Sequence, residues 1–111
     1  MTPTTPSTPN DPTTAAAADR LSEELDAAIA RVDALEAEYR ALLADPGVIQ
    51  EDRDAQRVLL TSARESLAIT RAAFELIGTG DYGRCERCGE PIAPERLEAI
   101  PDALRCVECS I

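Results

Sequence analysis

From Leu21 to Leu42, apolar side chains return at alternating steps of four and three: Leu21, Leu25, Ala28, Val32, Leu35, Tyr39 and Leu42. A period averaging 3.5 residues draws one stripe along a helix and winds two such helices into a left-handed coil. The stretch Ala15 to Ala44 lacks glycine and proline and is mostly Ala, Leu, Glu and Arg, all strong helix formers. The opposite face carries Glu23, Glu24, Arg31 and Glu38, and Glu36 stands four residues before Arg40, placed for an ion pair along the helix. Asp45-Pro46-Gly47 breaks the pattern. Proline pushes the residue before it out of the helical region, and glycine offers a permissive backbone for a turn. A second stripe follows at Leu60, Ala63, Leu67, Thr70, Phe74 and Ile77, weaker because Thr70 holds a core position. Ile69, Ala73 and Leu76 lie off it and are expected to pack elsewhere. Gly78 is expected to end the helix. Two helices of similar length joined by a short loop predict an antiparallel hairpin, each arm of about 26 residues and roughly 40 Å.

The chain divides into three. Residues 1–14 are proline and threonine with almost nothing apolar, so they cannot bury enough surface to offset ordering and are expected to be a disordered tail. Residues 15–79 are the coiled-coil hairpin, with its turn near 45–50. Residues 80–111 are too short for a core of their own, which calls for a staple. The fold class expected is therefore all-α dominated: an antiparallel two-helix coiled-coil hairpin followed by a small four-cysteine zinc-finger module.

The staple is written in the cysteines. The chain has four, Cys85, Cys88, Cys106 and Cys109: two Cys-x2-Cys pairs separated by seventeen residues. Each short gap lets a tight turn aim two sulfurs at one ion, and this spacing marks a structural zinc site. Four thiolates close the tetrahedron and leave no position for water or substrate, so the metal staples and does not catalyse. Disulfides or a redox dithiol are the competing chemistry, disfavoured in a cytosolic protein. Gly83 and Gly89 flank the first pair, Pro94 to Ala99 reads as a short helical turn, and Arg84, Arg87 and Arg105 adjoin the cysteines. These arginines are expected to offset the negative charge of a zinc tetrathiolate.

Composition narrows the function. The net charge is −10, and four thiolates around one Zn2+ would take it to about −12. Such a balance disfavours binding to nucleic acid, which rests on neutralising phosphates. The aromatic residues are Tyr39, Phe74 and Tyr82, too few for a base-stacking surface. Histidine is absent, which removes the commonest general base. No apolar run is long enough for a transmembrane helix, and the first residues lack the basic and apolar parts of a signal peptide. A cytoplasmic, non-enzymatic protein is expected.

One further pattern is more detailed than cysteine spacing. Gly80-x-Tyr82-Gly83-x-Cys85-x-x-Cys88-Gly89-x-x-Ile92, then Arg96-Leu97-x-Ala99-x-Pro101, then Cys106-x-x-Cys109 closely resembles the zinc finger of the DksA/TraR family. The helical hairpin before it has that family's order and polarity. The resemblance implies a regulator that binds bacterial RNA polymerase, inserts its coiled coil into the secondary channel and acts with acidic residues at the tip, without reading DNA sequence. Asp45, Glu51, Asp52 and Asp54 are the acids at the expected tip. Active family members carry Asp-x-x-Asp-x-Ala there, whereas this chain has Glu51-x-x-Asp54-x-Gln56. The sequence stops two residues after Cys109, so the C-terminal helix through which such proteins help bind the alarmone ppGpp is expected to be absent. The N-terminal region is expected to be a Pro/Thr tail, with no sign of that family's folded N-terminal segment.

Two functions of different classes follow. One is an RNA polymerase regulator acting as a monomer through the secondary channel. The other is a zinc-capped coiled-coil adaptor that dimerises or binds another protein's helix. For the tip acids, the ordinary alternative is helix capping and solubility.

Overall fold

The computed structural model describes residues 12–110. Helix α1 spans Pro12–Ala44 and α2 Gln50–Thr79; α3, Pro94–Ala99, and a 3-10 turn, Glu108–Ser110, lie in the C-terminal module. Of the expected tail, residues 1–11 lie outside the described residues, while Pro12 to Thr14 belong to α1. Proline suits a first helical position, where its missing N–H has no partner to lose. Thr14 stands seven residues before Leu21, on the same stripe, and is fully buried. Its polarity hides its place on the seam.

The two long helices pack against each other along their length. All thirteen residues of the two stripes are buried or half-buried. Val32, Leu60 and Ala63 form a mid-hairpin cluster, with Leu35, Tyr39 and Leu67 against it. Antiparallel pairing puts Val32 and Leu35 opposite Ala63 and Leu60, the register expected from a turn midway between Ala44 and Glu51. The flanks are tied by polar groups: Gln56 Nε2 donates to Glu38 Oε2 at 2.9 Å, and Arg64 reaches Glu36 Oε2 at 2.6 Å. Glu36 thus pairs across the hairpin, not with Arg40 along its own helix. Such an exposed pair contributes little.

The turn is held by its own polar groups. Asp45 Oδ1 accepts the Gly47 N–H at 2.8 Å, and the Asp45 carbonyl accepts the Val48 N–H at 3.2 Å. Gly47 keeps a negative φ; a Cβ there would stand 3.3 Å from Asp45 Oδ1, so the glycine supplies room more than a special backbone. α1 has no basic residue in its last turn. Arg53 of α2 does that work, donating from Nε to the Leu42 carbonyl at 3.1 Å and from a terminal nitrogen to the Asp45 carbonyl at 2.8 Å. A helix end leaves its last carbonyls short of intrahelical donors, and Arg53 adds a second donor to two that already accept a turn amide.

At the other end α2 runs past Gly78, the expected stop, and closes at Gly80 with φ of 83°. The Asp81 N–H reaches the Leu76 carbonyl at 3.0 Å and the Gly80 N–H reaches Ile77 at 3.4 Å. This is the Schellman pattern, which needs a left-handed residue at one fixed position after the helix. Gly80 occupies that position, and Gly78 is an ordinary helical residue.

The C-terminal module packs on the hairpin base. Ala17 and Leu21 of α1, Ala73 of α2 and Tyr82, Cys85, Ile92, Leu97 and Ala103 of the module share one buried cluster. Ala73 and Leu76 are off the second stripe because they face this module, while Ile69 remains 46% exposed. The result is a rod with extents of 67 × 28 × 20 Å. Among the described residues no helix is long and apolar enough to cross a membrane.

Leu60 is 3% exposed at the centre of the mid-hairpin cluster. Leu60→Ala should lower the unfolding free energy by about 2–5 kcal/mol, as for other buried leucines. Urea titration followed by circular dichroism measures it. A loss below about 1 kcal/mol would mean that the hairpin seam does not hold the rod together.

Candidate metal centre and hairpin tip

Each cysteine pair sits in a turn built by backbone hydrogen bonds. Around the first, the Cys85 N–H donates to the Glu90 carbonyl at 2.8 Å, Gly89 N–H to Cys85 at 3.0 Å, and Ile92 N–H to Gly83 at 2.7 Å. Gly83 and Gly89 take positive φ values of 89° and 77°, as a tight turn around an ion requires. Around the second, the Cys106 carbonyl accepts the Cys109 N–H at 3.2 Å and the Ser110 N–H and Oγ at 3.1 and 2.9 Å. The two turns are joined by the Glu86 N–H donating to Leu104 at 2.8 Å.

This brings Cys85, Cys88, Cys106 and Cys109 together, all sulfurs within 4.8 Å of one another. The four thiols are free. Cys88 and Cys106 sulfurs are 3.8 Å apart, well beyond a disulfide bond of about 2.05 Å. A zinc tetrahedron with bonds of about 2.3 Å has sulfur–sulfur edges of about 3.8 Å. The donor set therefore fits one tetrahedral thiophilic ion.

The four sulfurs titrate against one another. The pKa of Cys85 is lowered to about 6, first because the Cys88 backbone N–H points at its sulfur, with the Cys106 and Arg87 amides adding to it. That of Cys109 is pushed up to about 12, first by the Cys106 sulfur and then by Cys85. Without metal, one thiolate discourages the next. A divalent ion reverses that balance and lets all four ionise.

The arginines beside the cysteines do more specific work than general charge offset. Arg84 donates to the Gly89 carbonyl at 2.7 Å, inside the first turn. Arg105 pairs with Glu86 at 2.8 Å across the two turns. Arg96, part of the Arg96-Leu97-x-Ala99-x-Pro101 pattern but without a role assigned from sequence, donates to the Arg105 carbonyl at 3.0 Å and to Ser110 Oγ at 2.9 Å, fastening the second turn to α3. Arg87 is exposed.

Two polar contacts lock the module to the hairpin, and a third, inside the module, braces the loop that carries one of them. The buried Tyr82 hydroxyl donates to the Pro101 carbonyl at 2.8 Å. Thr70 Oγ1 donates to Asp102 Oδ2 at 3.2 Å. Arg20 of α1 donates to the Glu98 carbonyl at 2.7 Å. The threonine that weakens the second stripe is thus a link between modules.

The tip acids gather at the opposite end of the rod. Asp45 and Asp54 are partly spent on local bonds: Asp45 caps the turn, and Asp54 Oδ1 accepts from Gln50 at 2.9 Å and faces Arg57 at 3.4 Å. Glu51 and Asp52 occupy the first turn of α2 and are exposed; among the described residues neither side chain has a hydrogen-bond or ion-pair partner. Ile49 beside them is 57% exposed, while Val48 is half-buried.

A helical hairpin capped by a four-cysteine module defines the class. Residues 80–110 match the family model described as the prokaryotic dksA/traR C4-type zinc finger. The chain is 38% identical to general stress protein 16O of Bacillus subtilis over 66 residues, 60% of this chain and 40% of that protein. It is 37% identical to RNA polymerase-binding transcription factor DksA of Caulobacter vibrioides over 73 residues, 66% of this chain and 51% of that protein. The aligned part thus spans about half or less of those relatives. The structure of transcription factor DksA2 from Pseudomonas aeruginosa superimposes with a TM-score of 0.79 at 28% identity, covering 92% of this chain and 83% of that one. Residues 80–110 thus carry a dksA/traR-type C4 zinc finger, and the chain as a whole has a fold like that of DksA2.

Burial holds the Tyr82 hydroxyl above its usual pKa of 10.0. The folded state therefore favours the neutral phenol, a contribution complete below about pH 10 and lost as pH rises through the folded value. Tyr82→Phe should destabilise by about 1 kcal/mol near neutrality through the lost hydrogen bond. The difference between the two proteins should shrink above about pH 10. Thermal melts of both across pH 7 to 11 test this, and a gap that widens in alkali would contradict it.

Proposed function

We propose that this protein binds bacterial RNA polymerase and regulates transcription, entering the secondary channel with its hairpin and holding one zinc ion through Cys85, Cys88, Cys106 and Cys109. The observation that carries this reading is the DksA fold: a hairpin that ends in acidic side chains and is held by a C4 finger. The named transcription factors among its relatives support the partner. A narrow acidic rod suits a basic channel, where charge complementarity speeds encounter and fixes orientation. The zinc is structural, because four protein ligands leave no open position; the protein acts by binding and is not an enzyme. It works in the cytoplasm, where the polymerase is, and does not read DNA sequence.

The tip roles divide. Glu51 and Asp52 present charge outward, whereas Asp45 and Asp54 shape the turn and the start of α2. Glu51 and Gln56 stand where active family members carry Asp and Ala, so this chain's effect on transcription differs in strength from theirs.

A second reading has its own support. Leu43, Val58 and Ile69 on the outer faces of the hairpin are 53%, 65% and 46% exposed. An adaptor that pairs with another helix would cover them. Light scattering separates the two, since a regulator entering a channel alone is a monomer and the adaptor a dimer.

Two experiments test the primary proposal. Protein made under reducing conditions should hold one zinc per chain, and Cys106→Ser should lose most of it and become protease-sensitive over residues 80–110. Unchanged metal content in that variant would remove Cys106 from the ligand set. For the tip, Glu51→Lys with Asp52→Lys should abolish the effect on promoter-complex lifetime while binding to core polymerase falls less than tenfold. Equal effects of variant and parent would refute a role for the tip acids, and no binding by either would favour the adaptor.

A further inference from the structure

On the flank of the rod where the finger sits, each long helix carries a further stripe at steps of four and three, and the finger covers only its base end. On α2 the stripe is Ala55, Leu59, Ser62, Ser66, Ile69 and Ala73. Ala73 is buried beneath the finger. Ile69 lines a cavity of about 360 Å³ with Arg96, Leu104 and Arg105 of the finger. From Ile69 to Ala55 the stripe is exposed and uncharged, with Leu59 47% exposed at its centre. On α1 the stripe starts at Arg20, which is bound to the Glu98 carbonyl of the finger. It runs on through the half-buried Glu24 to Ala27, Arg31, Ala34, Glu38 and Ala41, all exposed. The interface between hairpin and finger thus continues, uncovered, toward the tip.

Both stripes match themselves in reverse. Antiparallel pairing of α2 with its own copy sets Leu59 on Ser62, Ala55 on Ser66, and Asp52, one step nearer the tip, on Ile69. The midpoint of that pairing lies between Leu60 and Thr61. In the hairpin register, with Leu35 opposite Leu60, the same level on α1 falls at Ala34. Turned about that point, α1 sets Ala27 on Ala41 and Arg31 on Glu38. The two helices have different sequences, yet one two-fold axis serves both. An isologous contact repeats each pair, so two Arg31–Glu38 pairs form. Arg31 has no ion-pair partner among the described residues, and Glu38 accepts only the Gln56 amide. Asp52 arrives at the cavity beside Ile69, where two arginines stand with one acid, Glu86. The opposite flank of α2 carries Arg57, Arg64 and Arg71 seven residues apart. The same operation there would set arginine against arginine.

We propose that the finger-side flank is a contact between two antiparallel copies of this chain, with Arg31 on Glu38 of the other copy and each tip beside the other's finger. The matching surface is about 25 Å long and two helices wide, about 500 Å² on each copy, short of the roughly 800 Å² per partner of a stable complex. The pair is therefore transient: it forms in concentrated protein and leaves a monomer on dilution. The contact is a property of the chain alone. Its meaning rests on the polymerase reading: a pair that holds Asp52 against a finger is a resting form that parts before the tip meets its target.

Sedimentation equilibrium of the full, zinc-loaded chain without polymerase, from about 10 µM to 1 mM, tests the contact. The mass should rise from monomer toward dimer and no further. Arg31→Glu should weaken association about tenfold, because two pairs become two repulsions. Adding Glu38→Arg to the same chain should restore the parent's association to within about threefold, since the pairs re-form with their charges exchanged. Leu59→Glu should abolish it. Arg71→Glu makes the same charge change on the opposite flank and should leave it unmoved. Zinc content and thermal melts show that each variant keeps its fold. A chain that stays monomeric at the highest concentration, a double variant no stronger than Arg31→Glu, or an Arg71→Glu effect as large as that of Arg31→Glu would each overturn the proposal.

Discussion

Neither half of this molecule can bury a core alone, and one shared cluster solves the problem for both. A two-helix hairpin has a single seam, and the thirty or so residues after it have almost no apolar interior. At their junction Tyr82 and Leu21 are the largest side chains fully removed from solvent, with Ala73, Ile92 and Leu97 around them. Burying a leucine of this kind is worth about 1.5–3 kcal/mol, and Tyr82 adds a larger ring with a satisfied hydroxyl. Cys85 belongs to the same cluster. The cysteine turns and the rod are therefore not separate stabilities; packing at the base depends on the shape that the cysteine turns hold.

This continuity has a mechanical result. α1 and α3 are joined through Arg20 and Glu98, α2 and the following loop through Thr70 and Asp102, and the finger and that loop through Tyr82 and Pro101. The first two bonds, one to each long helix, leave few ways for the finger to pivot, and the third stiffens the finger itself. A hairpin fixed in this way presents its tip at a defined distance and angle from the base.

Much of this could be read from the chain. The heptad steps carry the hairpin and its register because a 3.5-residue period has one structural meaning at this length. The cysteine spacing carries the four-sulfur cluster because two short turns are the way to aim four sulfurs at one point. What escaped were features decided by partners distant in sequence. Thr70 reads as a flaw in the stripe until Asp102 stands beside it, 32 residues later. Arg53 has no role in the pattern of α2 alone; the end of α1 offers it two carbonyls. Gly78 and Gly80 look alike as stop signals; the hydrogen-bond register at Leu76 and Ile77 chooses between them. Pro12 to Thr14 read as tail because polarity alone does not reveal a seam position at the end of a helix.

The tip is where local structure and function compete for the same residues. An acid near a helix start is favoured by the helix dipole whatever else it does, so the presence of four acids says little by itself. Their bonds say more. Asp45 accepts the Gly47 amide and so fixes the turn, and Asp54 is shared between Gln50 and Arg57. Both can be accounted for without a partner protein. Glu51 and Asp52 are exposed side by side next to Ile49, and neither is needed to close the turn. Arg53, on the same helical turn, has its guanidinium drawn back to α1, so it does not neutralise them. Asp45 keeps an exposed carboxylate as well, but Glu51 and Asp52 are the two neighbouring tip carboxylates that no local bond engages, with an apolar side chain beside them. Any surface that recognises this end of the rod must meet those three groups.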